Sequence, residues 1–138
     1  MVEPDANDGR WTPEEIRQIK RRLLSRIDEL RADIRRELAK CDDERYQALA
    51  DRVADPAEHA VADLLVDVDL AEIDRDVVEL RGLEGGLLRV ALGRYGICMD
   101  CETPIDAARL HYEPGAMRCL TCQQRYEQRA GERPRPTL

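Results

Sequence analysis

Four cysteines constrain this chain more than any other feature. Cys98, Cys101, Cys119 and Cys122 read C-x2-C-x17-C-x2-C within 138 residues. Each C-x2-C pair turns two thiolates toward one point. Two such knuckles supply the tetrahedral four-sulfur shell that zinc takes in structural sites. All four positions are filled by protein, so the expected cofactor is one structural Zn2+ with no open position for chemistry. Two disulfides or an iron–sulfur centre are the other readings of four cysteines. Paired knuckles within about 25 residues favour zinc. The segment 94–122 is poor in apolar residues, with Tyr95, Ile97, Ile105, Leu110 and Tyr112 left to pack round the metal. Zinc binding, at ~10–16 kcal/mol, is then largely the folding free energy of this part.

Upstream of the cysteines the pattern is helical. Thr12-Pro13-Glu14-Glu15 spells a helix start: a capping Thr, a Pro whose missing N–H costs nothing, and a Glu placed for a capping box. No Gly or Pro follows until after Val53. Apolar residues recur at Ile16, Ile19, Leu23, Ile27, Leu30, Ile34, Leu38 and Cys41, and again at Leu49 and Val53. The steps repeat every eleven residues, a period of ~3.67 per turn. One narrow apolar stripe needs a partner helix. Asp55-Pro56-Ala57-Glu58 repeats the start grammar, so a second helix is predicted from about Pro56 to Leu92. Its stripe includes Val61, Leu64 or Leu65, Val68, Leu70, Ile73, Val77, Leu80, Leu87 and Ala91. The short connection makes the two helices antiparallel neighbours. Gly82, Gly85 and Gly86 interrupt the second helix, as a kink, a close approach or a weak spot.

The expected fold is mainly α: a long antiparallel helical hairpin, a coiled coil, leading into a small four-cysteine zinc module and a short C-terminal helix. Residues 1–12 form a mobile leader. Residues 13–93 form the hairpin, with its tip near 53–60. Residues 94–130 form the zinc module with the last helix, and 131–138 a flexible tail. Cys41, on the apolar stripe, is expected to be a buried and inert thiol. His59 and His111 lack ligand spacing to the cysteines.

Composition narrows the function. Lys and Arg number 22, Asp and Glu 29, so the net charge is −7. That balance argues against a general phosphate-backbone binder. Residues 14–45 carry ten basic and nine acidic side chains, whereas 55–93 carry three and ten. No apolar run approaches a membrane span, and the first ten residues lack the apolar core of a signal peptide, so a cytoplasmic location is expected. No Ser/His/Asp set, open metal site or phosphate loop suggests an enzyme.

The hairpin followed by Tyr95-Gly96-Ile97-Cys98, Ile105, Arg109-Leu110, Pro114, Cys119 and Cys122 resembles the DksA/TraR family of bacterial RNA polymerase-binding regulators. The resemblance covers about residues 13–130. It implies a non-enzymatic regulator whose coiled coil enters the polymerase secondary channel, where an acidic tip alters the stability of initiation complexes. The best-known members carry Asp-Pro-x-Asp-x-Ala at the tip. This chain has Asp55-Pro56-Ala57-Glu58-His59-Ala60, which matches at Asp55 and Ala60 and departs by one methylene at Glu58. The resemblance makes Asp55, Glu58 and Ala60 the polymerase-binding tip and Arg75 a contact to the channel rim. It also implies Gly after the second cysteine, where this chain has Glu102. Basic residues that some members use for the alarmone ppGpp fall here at Gly82, Glu113 and Gln123, so ppGpp binding is expected to be weak or absent.

A monomer is expected, because a hairpin satisfies its own stripe. A zinc-stabilised scaffold with another partner is the second reading. A DNA-binding zinc finger is the third: residues 94–130 are rich in Arg, but no recognition helix with base-reading side chains follows a knuckle, and direct sequence-specific DNA binding is not expected.

Overall fold

The computed structural model describes residues 10–132. Six helices follow one another: α1 (Pro13–Ala39), α2 (Glu44–Ala54), α3 (Val61–Leu64), α4 (Ala71–Ala91), α5 (Ala107–Tyr112) and α6 (Leu120–Glu132). The two long helices, α1 and α4, form the antiparallel hairpin that the apolar stripes predict.

The start of α1 is built as its residues dictate. The Thr12 hydroxyl accepts from the Glu15 amide at 3.1 Å, and the Glu15 carboxylate accepts from the Thr12 amide at 3.0 Å. The helix then buries Ile16, Leu23, Ile27, Leu30, Ile34 and Leu38 along one face. Facing them, α4 buries Ile73, Leu80, Leu83 and Val90. Full burial of each large aliphatic side chain contributes about 1.5–3 kcal/mol, so this seam is the main source of stability. Arg26 of α1 pairs with Glu79 of α4 at 2.7 Å on its exposed edge.

The hairpin is shorter than the sequence pattern suggests. Instead of running to Val53, α1 stops at Ala39. The chain turns through Lys40–Asp43, and α2 folds back against α1. No Gly or Pro marks this break. Asp43 makes it by leaving the helical region and accepting from the Arg45 amide at 2.8 Å, so it caps α2. Asp favours such local bonds over a helix interior. The second predicted helix is also divided. Pro56 starts no helix; α3 spans only Val61–Leu64, and α4 begins at Ala71. Between them lie Val66, Asp67, Val68 and Asp69, types with low helix propensity. The predicted tip near 53–60 is therefore not the end of the hairpin. The far end is made by Lys40–Asp43 and by Asp69–Leu70, and the Tyr46 hydroxyl joins the two by accepting from the Asp69 amide at 3.4 Å.

Residues 53–60 lie instead on the flank of α1. The half-buried Arg31 guanidinium donates to the carbonyls of Val53 (2.8 and 3.0 Å), Asp55 (2.7 Å) and Glu58 (2.9 Å). It thereby satisfies carbonyls at the end of α2 that have no helical partner. From α4, Glu84 accepts from the amides of Val61 (2.8 Å) and Ala62 (3.1 Å), which caps α3 from another helix. Val53, Val61, Ala62 and Leu65 are buried beneath this layer.

The ends depart from expectation as well. Residues 1–9 of the predicted leader lie outside the described residues, but Arg10–Thr12 are pinned. Arg10 donates to the carbonyls of Gly96 and Ile105, and the Trp11 indole donates to the Tyr95 carbonyl at 3.1 Å. Of the predicted tail, Gly131 and Glu132 continue α6, and 133–138 lie outside the described residues. Among the described residues no helix is long and apolar enough to cross a membrane.

One acidic group works against this packing. Burial raises the pKa of Asp76 above its usual value, and repulsion from Asp33 and Glu79 adds to the effect. A carboxyl raised by folding costs stability progressively as pH climbs from its unfolded to its folded pKa, and the cost is complete above the folded value. Asp76→Asn is expected to raise the unfolding free energy at pH 7 by less than ~1 kcal/mol, read as a higher urea midpoint. The gain should vanish near pH 3, where the parent carboxyl is already neutral.

Candidate metal centre and the acidic segment

The four sulfurs of Cys98, Cys101, Cys119 and Cys122 all lie within 4.8 Å of one another. The Cys101 and Cys119 sulfurs are 3.8 Å apart. A tetrahedral Zn–S shell with bonds of about 2.3 Å needs sulfurs about 3.8 Å apart. The donor set and its spacing fit one structural zinc ion.

Local backbone builds each knuckle. The Cys98 amide donates to the Thr103 carbonyl at 2.8 Å, and the Glu102 amide donates to the Cys98 carbonyl at 2.9 Å. Ile97 and Pro104 form a single antiparallel bridge. Glu102 closes the first knuckle with φ of 62°, the left-handed conformation for which Gly is the ordinary choice. The sequence flagged this position, and the backbone keeps the turn shape at a steric cost. The second knuckle is the first turn of α6, where the Gln123 amide donates to the Cys119 carbonyl at 2.9 Å. Burial raises the Cys98 pKa, but amides of Cys101, Cys119 and Asp100 outweigh it and bring the thiol down to about 6. Amides aimed at sulfur favour the thiolate that zinc needs.

A small core backs the metal. Tyr95, Ile105 and Leu110 are buried, and Ile97 is half-buried. Tyr112, assigned to this core from sequence, is instead exposed. The Tyr95 hydroxyl donates to the Pro114 carbonyl at 2.7 Å, and burial pushes its pKa up to about 12. Arg118 donates to Asp100 at 2.8 Å and stacks over Tyr126, which ties α6 to the first knuckle.

The glycines of α4 receive this module. Of the three readings, kink, close approach or weak spot, Gly82 and Gly85 are a close approach, while Gly86 makes ordinary contact with Leu23. A Cβ on Gly115 would lie 2.7 Å from the Gly82 carbonyl carbon and 2.8 Å from the Leu83 nitrogen. A Cβ on Gly85 would meet the Met117 sulfur at 2.7 Å. The loop between α5 and α6 thus rests directly on the α4 backbone.

The remaining predicted residues lie apart from the metal. Asp55 is exposed, and its carboxylate accepts from the Ala57 amide at 2.9 Å in a turn rather than a helix cap. Glu58 is half-buried and pairs with Arg52 at 3.0 Å. Ala60 and His59 are exposed, and Arg75 is exposed on α4. Cys41 is half-buried in the α1–α2 turn, its sulfur 3.6 Å from the Glu37 carbonyl. Sequence reasoning missed Arg31 and Glu84, because their partners lie more than twenty residues away.

A helical hairpin with a four-thiolate module seated on its base defines a class of zinc-finger proteins. Residues 93–128 match the prokaryotic dksA/traR C4-type zinc finger. This module is a DksA/TraR-type C4 zinc finger. Among solved structures it is similar to transcription factor DksA2 from Pseudomonas aeruginosa, with a TM-score of 0.52 and 21% identity over 96% of this chain and 95% of that one. A comparison with curated proteins finds no match.

The seating of the module and its metal can both be tested. Gly115→Ala is expected to destabilise the protein by about 1–3 kcal/mol in urea unfolding, because backbone must move. Gly131→Ala, with nothing within 4 Å, should be neutral or mildly stabilising. The purified chain should carry one zinc. Chelation should expose residues 94–132 to protease while most of the helical circular dichroism of α1 and α4 survives. Equal loss of both would place the metal in the folding of the whole molecule.

Proposed function

We propose that this chain is a cytoplasmic transcription regulator that binds bacterial RNA polymerase as a monomer, entering its secondary channel with the helical hairpin. The observation that carries this reading is a DksA/TraR zinc finger built onto a hairpin in the fold of a transcription factor. Asp55, Glu58 and Ala60 are the polymerase-binding group, and Arg75 contacts the channel rim. The acidic pair acts near the catalytic centre, where carboxylates perturb bound metal or substrate and so alter the stability of initiation complexes.

Several features support the rest of the reading. The α1–α4 seam buries the apolar stripe within one chain, as a monomer requires. A four-thiolate shell gives zinc no open position, so its role is structural and no catalysis is assigned. The net charge of −7 opposes direct DNA binding. For ppGpp, Gly82 offers no side chain and is covered by the Gly115 backbone, while Glu113 and Gln123 supply no positive charge.

The experiment is a titration of zinc-loaded protein into core RNA polymerase from the same source, beside an Asp55→Asn/Glu58→Gln variant. Transcription from a ribosomal-type promoter is read in parallel. Both proteins should bind, with affinities within about threefold, and only the parent should change transcription. If neither binds polymerase, the scaffold with another partner replaces this reading.

A further inference from the structure

The acidic segment proposed to meet the polymerase does not sit at the end of the hairpin. It lies on the flank of α1, about 24 residues of chain beyond the Arg31 that holds it. We infer that residues 40–70 are a stowed strap: Arg31 and Glu84 hold Asp55–Ala60 against the hairpin, and release straightens both helices and projects that segment at the far end.

Four observations converge on this. First, the breaks at Lys40–Asp43 and Leu65–Leu70 contain no Gly or Pro. The apolar stripe of α1 also resumes in helical phase beyond the first break, at Leu49 and Val53, after a gap at Arg45. Nothing in either backbone forbids a continuous helix. Second, the strap is held at its middle by side chains. Arg31 from α1 grips three carbonyls, and Glu84 from α4 grips two amides. Arg81 adds Asp63 at 3.0 Å and the Ala62 carbonyl at 3.3 Å. Third, both breaks lie at the same end of the hairpin, where Tyr46 meets Asp69. Residues 44–70 can therefore swing out as one unit while the α1–α4 seam and the zinc module stay in place. Fourth, the lengths agree. Adding residues 40–54 to α1 would extend it by ~22 Å at 1.5 Å per residue. The Asp55-Pro56 turn would then close the lengthened hairpin.

In the stowed form Glu58 is engaged by Arg52 and the backbone of Asp55–Glu58 by Arg31. A partner that uses these residues has to compete with those bonds. The strap thus regulates the site assigned above. Its functional consequence rests on the polymerase reading; its structural half does not.

The two forms can be separated with proline. Glu44 and Ala71 are the first residues of α2 and α4. Asp43 and Leu70 before them are extended, at φ −103°, ψ 119° and φ −143°, ψ 103°. Proline is at home in the first helical position after an extended residue, but it breaks a helix interior. Glu44→Pro/Ala71→Pro should therefore fold normally and lock the strap down. Arg31→Ala/Glu84→Ala should release it.

Small-angle scattering of the full zinc-loaded chains tests the structural half. The released variant should gain about 20 Å in maximum dimension over the parent, and the proline variant should gain none. Adding both prolines to the released variant should abolish the gain. An unchanged dimension in a folded released variant overturns the strap. So does a gain that survives the prolines, since that is loosening rather than straightening. With polymerase, the proline variant should lose at least tenfold of the parent's effect on transcription, with its unfolding midpoint equal or higher. Full effect from the proline variant overturns the regulatory role. If the parent has no effect on polymerase, the function assigned above fails, and the scattering result still decides the strap.

Discussion

The structure depends on the apolar seam between α1 and α4. Leu23, Leu30, Ile34 and Leu38 on one side meet Ile73, Leu80 and Leu83 on the other, all essentially without exposure. The two helices are unequal, at 27 and 21 residues. That inequality organises what remains. At the far end α2 and α3 add Val53, Val61 and Leu65 to the core. At the base, the Trp11 and Tyr95 rings meet in a tilted contact, 6.0 Å between centres, beside the start of α1. The zinc module then covers α4 from the side.

Metal and glycine act together at that base. Zinc fixes the knuckles and so the shape of the loop from Glu113 to Arg118, and Gly115 lets this loop touch the α4 backbone. A side chain at Gly115 would push the two parts apart whatever the metal does. Arg89 adds a second tie, donating to the Ile97 carbonyl beside the first knuckle. Burial lowers its pKa, yet guanidinium stays charged far above neutrality. The metal's binding energy thus reaches the hairpin through the Gly82–Gly115 backbone contact and through Arg10, Trp11 and Arg89, side chains that clasp carbonyls of the module.

What the sequence made legible was local. The cysteine spacing and the Thr12–Glu15 box each complete their chemistry within a few residues, and both appear in the structure as read. The Asp55-Pro56 grammar looked the same and failed. Asp55 closes a turn on Ala57, and the next helix waits until Val61, where Glu84 from α4 supplies the cap. A cap delivered from another helix leaves no trace in the neighbouring sequence. The same holds for Gly82, whose role is set by Gly115 across 33 positions of chain. The break at Asp43 did carry local signs, an Asp before Glu44 and Arg45 and a gap in the apolar stripe at Arg45, but the stripe resumes at Leu49 and Val53 with no Gly or Pro between.

That failure has a physical size. In a continuous helix, Asp42, Asp43, Val66, Asp67, Val68 and Asp69 each cost up to ~0.7 kcal/mol relative to Ala, or about 4 kcal/mol together. The breaks replace this with contacts from Arg31 and Glu84, and a hydrogen bond to a charged group is worth about 1.5–3 kcal/mol net. Glu84 gives part of that back, since burial raises its pKa and disfavours the charge that accepts the bonds. The stripe therefore encodes long helices, weak helix formers permit two breaks, and a few charged side chains hold them. Helix propensity, these charged contacts and the burial of Val53, Val61 and Leu65 together set the distal arm, whereas the seam and the zinc module are set by apolar burial and metal binding.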